Sequence, residues 1–279
     1  MIKIEENSFL KPYIHPQEQE ITAELIENLI NQEYCEQLLE MYRSFELENL
    51  LPDLMGKSMT VNKKQMPELY GIVENQSLLL GMKVPDIYVF EGRYCDANAE
   101  GLDNPWIQIS TKTLEDFEDN ELAYLIARQM VHIKLGHMRY EVLCEQFSKS
   151  ISIASQLGSS LISFIPGATV ASGEGFEVYA ARFKLIASQW SRVSEYTADR
   201  CALYMCNWDI NTAVNAIKKQ ILNSRLLADT MKLSAYLEQA DKILGLESPV
   251  ARYSIMDEQY PYGPFRIKEL ISFASIVEI

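Results

Sequence analysis

The sequence predicts an α+β protein that is mostly helical, with a small sheet near its middle. Apolar residues recur at intervals of three and four over much of the chain, as they do on amphipathic helices. Two short runs, residues 84–90 and 106–110, have the composition of strands, and the second alternates as a half-buried strand does. Helices that flank a small sheet define the α+β class.

The N-terminal part of the chain is predicted to be helical over residues 17–51, as two helices or as one long helix. Breaker and turn signals lie at residues 51–53 and 56–58. The next helix is expected to begin at Pro67, where the missing N–H of proline costs least, and to stop at Gly81.

The second half of the chain is predicted to consist of helices. One long helix is expected from about residue 116 or 120 to beyond 138, and another over residues 176–206. Residues 209–244 predict one or two more helices, and a proline-rich turn at residues 260–264 leads into a last one. No internal repeat is present, so an array of repeated units is excluded.

Residues 150–173 form a stretch without charged residues. The stretch holds seven serines, three glycines and Pro166, which makes it too polar and too interrupted to favour membrane insertion. We therefore expect a buried helical hairpin here, with contact to a membrane surface as the alternative.

The charge balance narrows the possible partners. The 279 residues contain 25 Lys and Arg against 39 Asp and Glu, which gives a net charge of −14. Nucleic acid and anionic membranes would repel such a surface. The N-terminus is acidic and lacks the basic and apolar regions of a signal peptide, so we expect a cytoplasmic protein.

The cysteines and histidines are sparse. Five scattered cysteines without a Cys-x-x-Cys pair indicate neither a disulfide framework nor a cysteine-rich zinc site. The chain has only three histidines, His15, His132 and His137.

The most informative segment is residues 121–137, which ends in Arg128-Gln129-Met130-Val131-His132 and then Gly136-His137. It resembles the active-site helix of the HtpX-like zinc metallopeptidases, a family that includes membrane heat-shock peptidases and CAAX-prenyl endopeptidases. In that helix a His-Glu-x-x-His motif supplies two zinc ligands at i and i+4, and its glutamate acts as general base on the metal-bound water.

Three further segments carry the resemblance, in the family's order, over roughly residues 65–275. Residues 191–200 are similar to the helix in which Glu195 would be the third zinc ligand and Asp199 follows four residues later. Residues 96–101 match the segment whose backbone forms the edge that an extended substrate pairs with. Tyr260-Pro261 and Arg266 match the His-Pro and Arg-Ile pattern, with tyrosine in place of histidine.

The resemblance implies a minigluzincin-like metallopeptidase core, made of a small sheet, the active-site helix and the helix that bears the glutamate. We predict this domain over residues 65–279, preceded by an N-terminal helical extension over residues 1–64. The acidic helices of the extension lie outside the match and are candidates for partner specificity.

Three positions of the implied catalytic set are degenerate: Arg128, Gln129 and Tyr260. Only His132 and Glu195 remain as zinc ligands, whereas a catalytic site uses three protein ligands. A guanidinium about 4 Å from a divalent ion would be repelled by about 8 kcal/mol at an effective dielectric of about 20. We therefore expect no metal, no other cofactor and no hydrolysis by the family's mechanism.

His137 is not expected to replace the missing ligand, because five residues along a continuous helix place it about 140° around from His132. Arg128 is predicted to act as the cation in place of zinc, tying its helix to Glu195 and Asp199, since a guanidinium bridges carboxylates well. The alternative is that Arg128 is a drifted surface residue.

The predicted cleft contains Arg128, Gln129, His132, Glu195, Asp199 and Tyr260, and the predicted peptide-binding edge contains Asn98, Ala99 and Glu100. We expect an inactive homologue that binds a peptide or protein segment along this edge. Glu100 stands where the family has phenylalanine, which favours basic or polar peptides. The alternatives are an active zinc metalloendopeptidase with an atypical ligand set and a structural partner subunit of a protein or membrane complex.

Overall fold

A computed structural model describes residues 9–29, 32–157 and 174–277 of the chain. Within these ranges four strands are present: β1 (Ser58–Thr60), β2 (Asp86–Phe90), β3 (Ala97–Glu100) and β4 (Trp106–Ser110). The helices of the first half are α1 (Glu18–Ala23), α2 (Gln32–Phe45), α3 (Leu51–Lys57), α4 (Pro67–Leu80), α5 (Thr111–Asp116) and α6 (Asp119–Leu135). Those of the second half are α7 (His137–Leu157), α8 (Glu174–Met205), α9 (Ile210–Leu222), α10 (Arg225–Thr230), α11 (Leu233–Leu244), α12 (Pro249–Asp257) and α13 (Gly263–Ile276).

The fold is α+β and mostly helical, as the sequence predicts. The strands form one mixed sheet in the order β1-β2-β4-β3. Strands β2 and β4 are parallel, whereas β1 pairs antiparallel with β2 and β3 pairs antiparallel with β4. Strand β3 therefore lies at one edge of the sheet, next to the helices that form the cleft.

Residue patterns predicted β2 and β4 but not the two outer strands. The residue pattern predicts a turn at residues 56–58, whereas in the structure Ser58 begins β1. The sequence of β3, Ala-Asn-Ala-Glu, has no β-branched residue, and only the family resemblance pointed to an edge there. Both strands are short and depend on pairing with their longer neighbours.

Two predicted helix boundaries were wrong. The breaker expected at residues 51–53 does not interrupt the helical path, because the π-helical turn Glu46–Leu50 runs directly into α3, whose second residue is Pro52. The long helix expected to pass Met138 ends at Leu135, since Gly136 adopts a left-handed conformation with φ of 69°. Helix α7 then begins in a new direction at His137.

Other observed helix boundaries agree closely with those predicted from the sequence. Helix α4 begins at Pro67 and ends before Gly81, and α13 follows the proline-rich turn. Helix α8 covers nearly the whole range predicted for one long helix. Residues 209–244 form three helices, rather than one or two, and α12 was not predicted.

The buried apolar side chains form two clusters. One lies between the sheet and helices α4, α6, α8, α9 and α13, and it includes Ile107, Met130 and Ala202. The other joins α1 and α2 to α7 and α8, and Leu25 and Trp190 belong to it. The N-terminal helices are thus packed onto the helices that lead to the cleft, while the boundary at residue 64 stays a prediction.

The uncharged stretch is only partly described. Residues 150–157 belong to α7, whereas residues 158–173, where we predicted the turn of a hairpin, lie outside the described residues. Across the described ranges, no helix combines the length and the apolar character that crossing a bilayer requires.

Candidate functional site: a cleft built around a buried arginine

Helices α6 and α8, the edge strand β3 and the turn before α13 surround a cleft of about 500 Å³. Five of the six predicted cleft residues line it: Arg128, Gln129, His132, Glu195 and Tyr260. The sixth, Asp199, is fully buried beneath the cleft floor. All three residues of the predicted peptide-binding edge line the cleft as well.

Arg128 lies at the centre of the cleft floor. Its side chain is only 1% exposed, and its guanidinium forms an ion pair with Glu195 through Nη2. The Nε atom lies 2.6 Å from Oδ1 of Asp199. This second contact is electrostatic, because the N–H is not directed along the line to the oxygen. Arg128 thus joins α6 to both acids of α8, the geometry expected of a cation in place of zinc.

Asp199 has a second cationic partner in Arg266 of α13. The guanidinium of Arg266 donates to both carboxylate oxygens, with Nε 2.6 Å from Oδ2 and Nη2 2.8 Å from Oδ1. The Tyr124 hydroxyl donates to Oδ1 at 2.9 Å. Burial alone would raise the pKa of Asp199, but Arg266 and Arg128 outweigh it and hold the pKa below the usual value.

The floor of the cleft is electrically balanced. Two arginines, Arg128 and Arg266, face two carboxylates, Glu195 and Asp199. We call these four residues the ionic cluster. Because an unpaired buried charge costs several kcal/mol, each member of the ionic cluster is needed to keep the others buried.

His132 belongs to a chain of hydrogen bonds that leads away from the cleft. Its Nδ1 atom lies 2.9 Å from Nδ1 of His137, whose Nε2 lies 3.0 Å from Oε1 of Glu18. The hydroxyl of Thr197 donates to the other oxygen of Glu18. Through this chain the N-terminal helix α1 is tied to the floor of the cleft.

The His137 contact corrects the expectation from helical geometry. The predicted separation of about 140° assumed a helix without interruption, whereas the left-handed Gly136 ends α6 and turns the His137 ring back onto His132. The two rings meet edge to face, with centroids 4.9 Å apart.

Protonation in this pair follows from its surroundings. Burial lowers the pKa of His132 well below the usual value, and the charge of His137 lowers it further. Burial would lower the pKa of His137 as well, but the Glu18 carboxylate outweighs burial and raises it. These opposite shifts favour a proton on His137 over one on His132, and the tautomer of each ring decides which of the two Nδ1 atoms donates.

The residues present do not fit a zinc ion. In the part of the chain that the structure describes, no three His, Cys, Asp or Glu side chains are grouped to hold a metal. His132, whose Nε2 atom lies 3.6 Å from Oε1 of Glu195, and Glu195 itself are one ligand short of the three that a catalytic zinc site takes from the protein. A guanidinium also holds both acids of α8.

Gln129 replaces the general base of the family motif and makes a different contact. Its Oε1 atom accepts a hydrogen bond of 3.0 Å from the backbone N–H of Ala99 in β3. The side chain is 6% exposed. An amide has no proton-accepting carboxylate, so Gln129 ties α6 to the edge strand and does not activate water.

The register of β3 shows which backbone groups face the cleft. The N–H of Ser110 donates to the carbonyl of Asp96, and hydrogen-bonded pairs alternate along an antiparallel ladder. The backbone of Asn98 therefore bonds to β4, whereas the backbones of Ala97 and Ala99 face outward. Both alanines are buried, and Gln129 of α6 already accepts from the outward N–H of Ala99, so Asn98 is the exposed residue of this part of the strand.

The opposite wall of the cleft carries three carboxylates, on Asp96, Glu100 and Glu141. None of them forms an ion pair with a described residue; Asp96 accepts a hydrogen bond of 3.0 Å from Asn98. Burial raises the pKa of Asp96, and burial together with repulsion by Asp96 raises that of Glu100. Enclosure by the cleft walls, with repulsion by Glu195, raises the pKa of Glu141 to about 7, although solvent still reaches its side chain. We call these three residues the acidic wall.

Tyr260 stands at the mouth of the cleft with 65% of its surface exposed. Burial of its hydroxyl end and repulsion by Glu195 and Glu141 raise the pKa of the phenol to about 12, so the hydroxyl is protonated at neutral pH. Tyr260 and Glu141 also border a second cavity of about 720 Å³ between α7 and α8. The cleft and this cavity are therefore adjacent.

Several residues of the site were missed by sequence reasoning. Glu141 follows His137 by four residues on α7, a spacing that would have placed the two on one face had the break at Gly136 been recognised. No sequence pattern could have identified Glu18, because its hydrogen-bond partner His137 lies 119 positions further along the chain.

The sheet, α6 and α8 together define a metallopeptidase-like α+β core. The chain belongs to peptidase family M48, since the sequence profile of that family matches residues 63–242, more than half of the chain. The matched range includes all of β2 to α10 and every predicted cleft residue except Tyr260.

Individual relatives are distant. The chain is 24% identical over 193 residues to plastoglobule-localized metallopeptidase 48 of Arabidopsis thaliana, which covers 68% of this chain and 51% of the relative. It is 27% identical over 145 residues to protease HtpX of Stenotrophomonas maltophilia, covering 47% of this chain and 50% of the relative. The chain spans about half the length, or less, of such relatives.

Among solved structures, the crystal structure of S. mikatae Ste24p is similar, with a TM-score of 0.47 and 16% sequence identity. The match covers 85% of this chain and 56% of that chain.

Proposed function

We propose that this member of peptidase family M48 is a catalytically inactive homologue that binds a peptide or protein segment in its cleft. One observation carries the proposal: the buried Arg128 guanidinium contacts both Glu195 and Asp199, so a cation already pairs with the acid that the resemblance implies as a zinc ligand. The neutral amide of Gln129 supports it, because an amide cannot act as the general base of zinc-dependent hydrolysis.

Peptide binding is supported by the edge strand. Asn98 of this strand is exposed, and Asn98, Ala99 and Glu100 line the cleft, where an extended chain could lie beside the sheet. The net charge of −14 and the acidic wall favour a basic peptide and disfavour nucleic acid. A cytoplasmic location, without metal or other cofactor, is part of the same proposal.

The deciding experiment measures metal content and peptide cleavage on the same protein. The full chain is purified without added metal, and zinc is quantified by mass spectrometry before and after treatment with a chelator. We expect far less than one zinc per chain and no chelator-sensitive cleavage of a randomised peptide library. A matched variant, Arg128→His with Gln129→Glu, restores the motif and shows whether the assay detects zinc bound by this fold.

One zinc per chain in the unaltered protein, removable by chelator with loss of cleavage, establishes the active-peptidase alternative instead. Absence of zinc together with absence of peptide binding favours a structural partner subunit. Deleting residues 150–173 tests the partner-subunit alternative further. Release of the protein from a membrane fraction would indicate that the uncharged stretch makes the contact with the membrane or membrane complex.

A further inference from the structure

The acidic wall lacks the cations that balance the ionic cluster. Glu100 and Glu141 lie with Asp96 along one side of the cleft, and no described Lys, Arg or His forms an ion pair with any of them. Arg128 and Arg266, which also line the cleft, are held by Glu195 and Asp199. A positive group that enters the cleft would therefore find carboxylates that no described cation neutralises.

A second and independent feature of the cleft is the amide of Gln129. The N–H of Ala99 can only donate, so the Gln129 oxygen must face it and the NH₂ group must point the other way. The side chain is 94% removed from solvent and lines the cleft, and no described residue accepts from its NH₂. Water in the open cleft can satisfy this donor, so a ligand that displaces the water must itself offer an acceptor.

These two features select one kind of ligand. The Gln129 NH₂ requires an acceptor, and the acidic wall excludes a carboxylate or phosphate as that acceptor because of charge repulsion. A neutral carbonyl with a cationic group a few ångströms away satisfies both. A lysine or arginine residue in an extended chain has this combination, since its main-chain carbonyl and its charged side chain diverge from the same Cα atom.

We propose that the cleft recognises a peptide through one lysine or arginine residue, whose main-chain carbonyl accepts from Gln129 Nε2 and whose cationic side chain lies among Asp96, Glu100 and Glu141. This assignment rests on the proposed peptide-binding function. In it, Gln129 extends the hydrogen bonding of the edge strand: it accepts from Ala99 on one side and donates to the peptide on the other.

The test uses two fluorescein-labelled heptapeptide libraries with randomised neutral flanks. They differ only at the central residue, which is lysine in one and norleucine in the other, so that the aliphatic stem is kept and the charge is removed. Binding is measured by fluorescence anisotropy at low and high salt. We expect the lysine library to bind about tenfold more tightly at low salt, with the difference shrinking as salt screens the carboxylates.

Two variants separate the contributions. Glu141→Gln should lower lysine affinity about threefold, because two carboxylates of the acidic wall remain, whereas Glu238→Gln, which removes the same charge from exposed α11, should leave the tenfold difference unchanged. Gln129→Glu keeps an acceptor for Ala99 but removes the NH₂ donor. The Gln129→Glu variant should bind the norleucine library about five- to tenfold more weakly, because the new carboxylate repels the peptide carbonyl.

The outcomes are distinguishable. Equal affinity of the unaltered protein for both libraries overturns this inference and leaves peptide binding standing. Failure of both libraries to bind refutes the peptide-binding function itself. Norleucine binding that Gln129→Glu does not change would remove Gln129 from the contact. Circular dichroism of each variant shows whether the fold is intact before these comparisons are made.

Discussion

The charged side chains of the cleft fall into two groups, one in which carboxylates are paired with arginines and one in which they are not. In the ionic cluster, Arg128 and Arg266 balance Glu195 and Asp199, and the four side chains are at most 13% exposed. In the acidic wall, Glu100 and Glu141 face the same cleft without an ion-pair partner among the described residues, and solvent reaches them. The charges of the ionic cluster are neutralised within the fold, whereas those of the acidic wall are the ones that the proposed ligand would neutralise.

Burial explains the difference. A carboxylate as deeply buried as Asp199 must be neutralised inside the protein, because the cost of leaving it unpaired exceeds most single stabilising interactions. Glu141, by contrast, is exposed to solvent and needs no cation inside the protein. The ionic cluster is accordingly neutralised within the fold, whereas the acidic wall has no cationic partner among the described residues.

The largest expected effect comes from breaking the ionic cluster at its most buried member. Asp199→Asn leaves Arg128 and Arg266 facing each other with only Glu195 between them and the solvent. We expect the free energy of unfolding to fall by about 3–5 kcal/mol, measured by urea denaturation followed by circular dichroism.

The matched control is Asp241→Asn, which removes an exposed carboxylate paired with Lys268. Exposed ion pairs contribute about 0–1 kcal/mol, so this variant should unfold close to the unaltered protein. Similar losses in the two variants would mean that the ionic cluster has no special structural role.

A smaller effect is expected from Arg128→Met, which keeps the volume of the side chain and removes its charge. Arg266 still neutralises Asp199, and Glu195 lies near enough to the cleft to be hydrated. We therefore expect a loss of about 2–3 kcal/mol by the same measurement, below that of Asp199→Asn. A variant as stable as the unaltered protein would show that Arg128 does not hold the two helices together.

The sequence, together with the family resemblance, predicted the contacts of the ionic cluster better than those of the histidine chain. Arg128, Glu195 and Asp199 could be assigned to one place because the family resemblance puts their helices side by side and opposite charges attract. His137 could not, since its position depends on whether Gly136 turns left-handed, and a glycine is compatible with either conformation.

The acidic wall and the N-terminal contact were less accessible to sequence reasoning. Glu141 and Asp96 come from different elements, and no periodicity relates a residue of α7 to one that precedes β3. Glu18 reaches His137 only because α1 packs on α8. The core elements follow from local patterns, whereas these contacts depend on how the elements dock.

A pH-dependent effect is expected from Glu18→Gln, which tests the histidine chain behind the ionic cluster. The raised pKa of His137 stabilises the fold below its ordinary pKa of 6.5, and this contribution is lost as the pH rises through the raised value. The lowered pKa of Glu18 stabilises above its ordinary 4.5 and is lost as the pH falls through the lowered value.

The variant should therefore be less stable than the unaltered protein by about 2 kcal/mol between pH 4.5 and 6.5, with a smaller difference towards pH 9. Urea denaturation at pH 5.5, 7 and 9 measures this. A difference that stays constant over the three pH values would show that His137 does not carry the charge.

The smallest expected effect concerns the acidic wall, through the pH dependence of lysine-peptide binding. Because the pKa of Glu141 is about 7, its carboxyl is mostly protonated at pH 6 and mostly ionised at pH 8. Affinity for the lysine library should rise about threefold over this interval, since one more negative charge then faces the cation. The norleucine library should show no such rise, and Glu141→Gln should flatten the lysine profile. A rise that persists in Glu141→Gln would assign the titration to another group and remove the acidic wall as its cause.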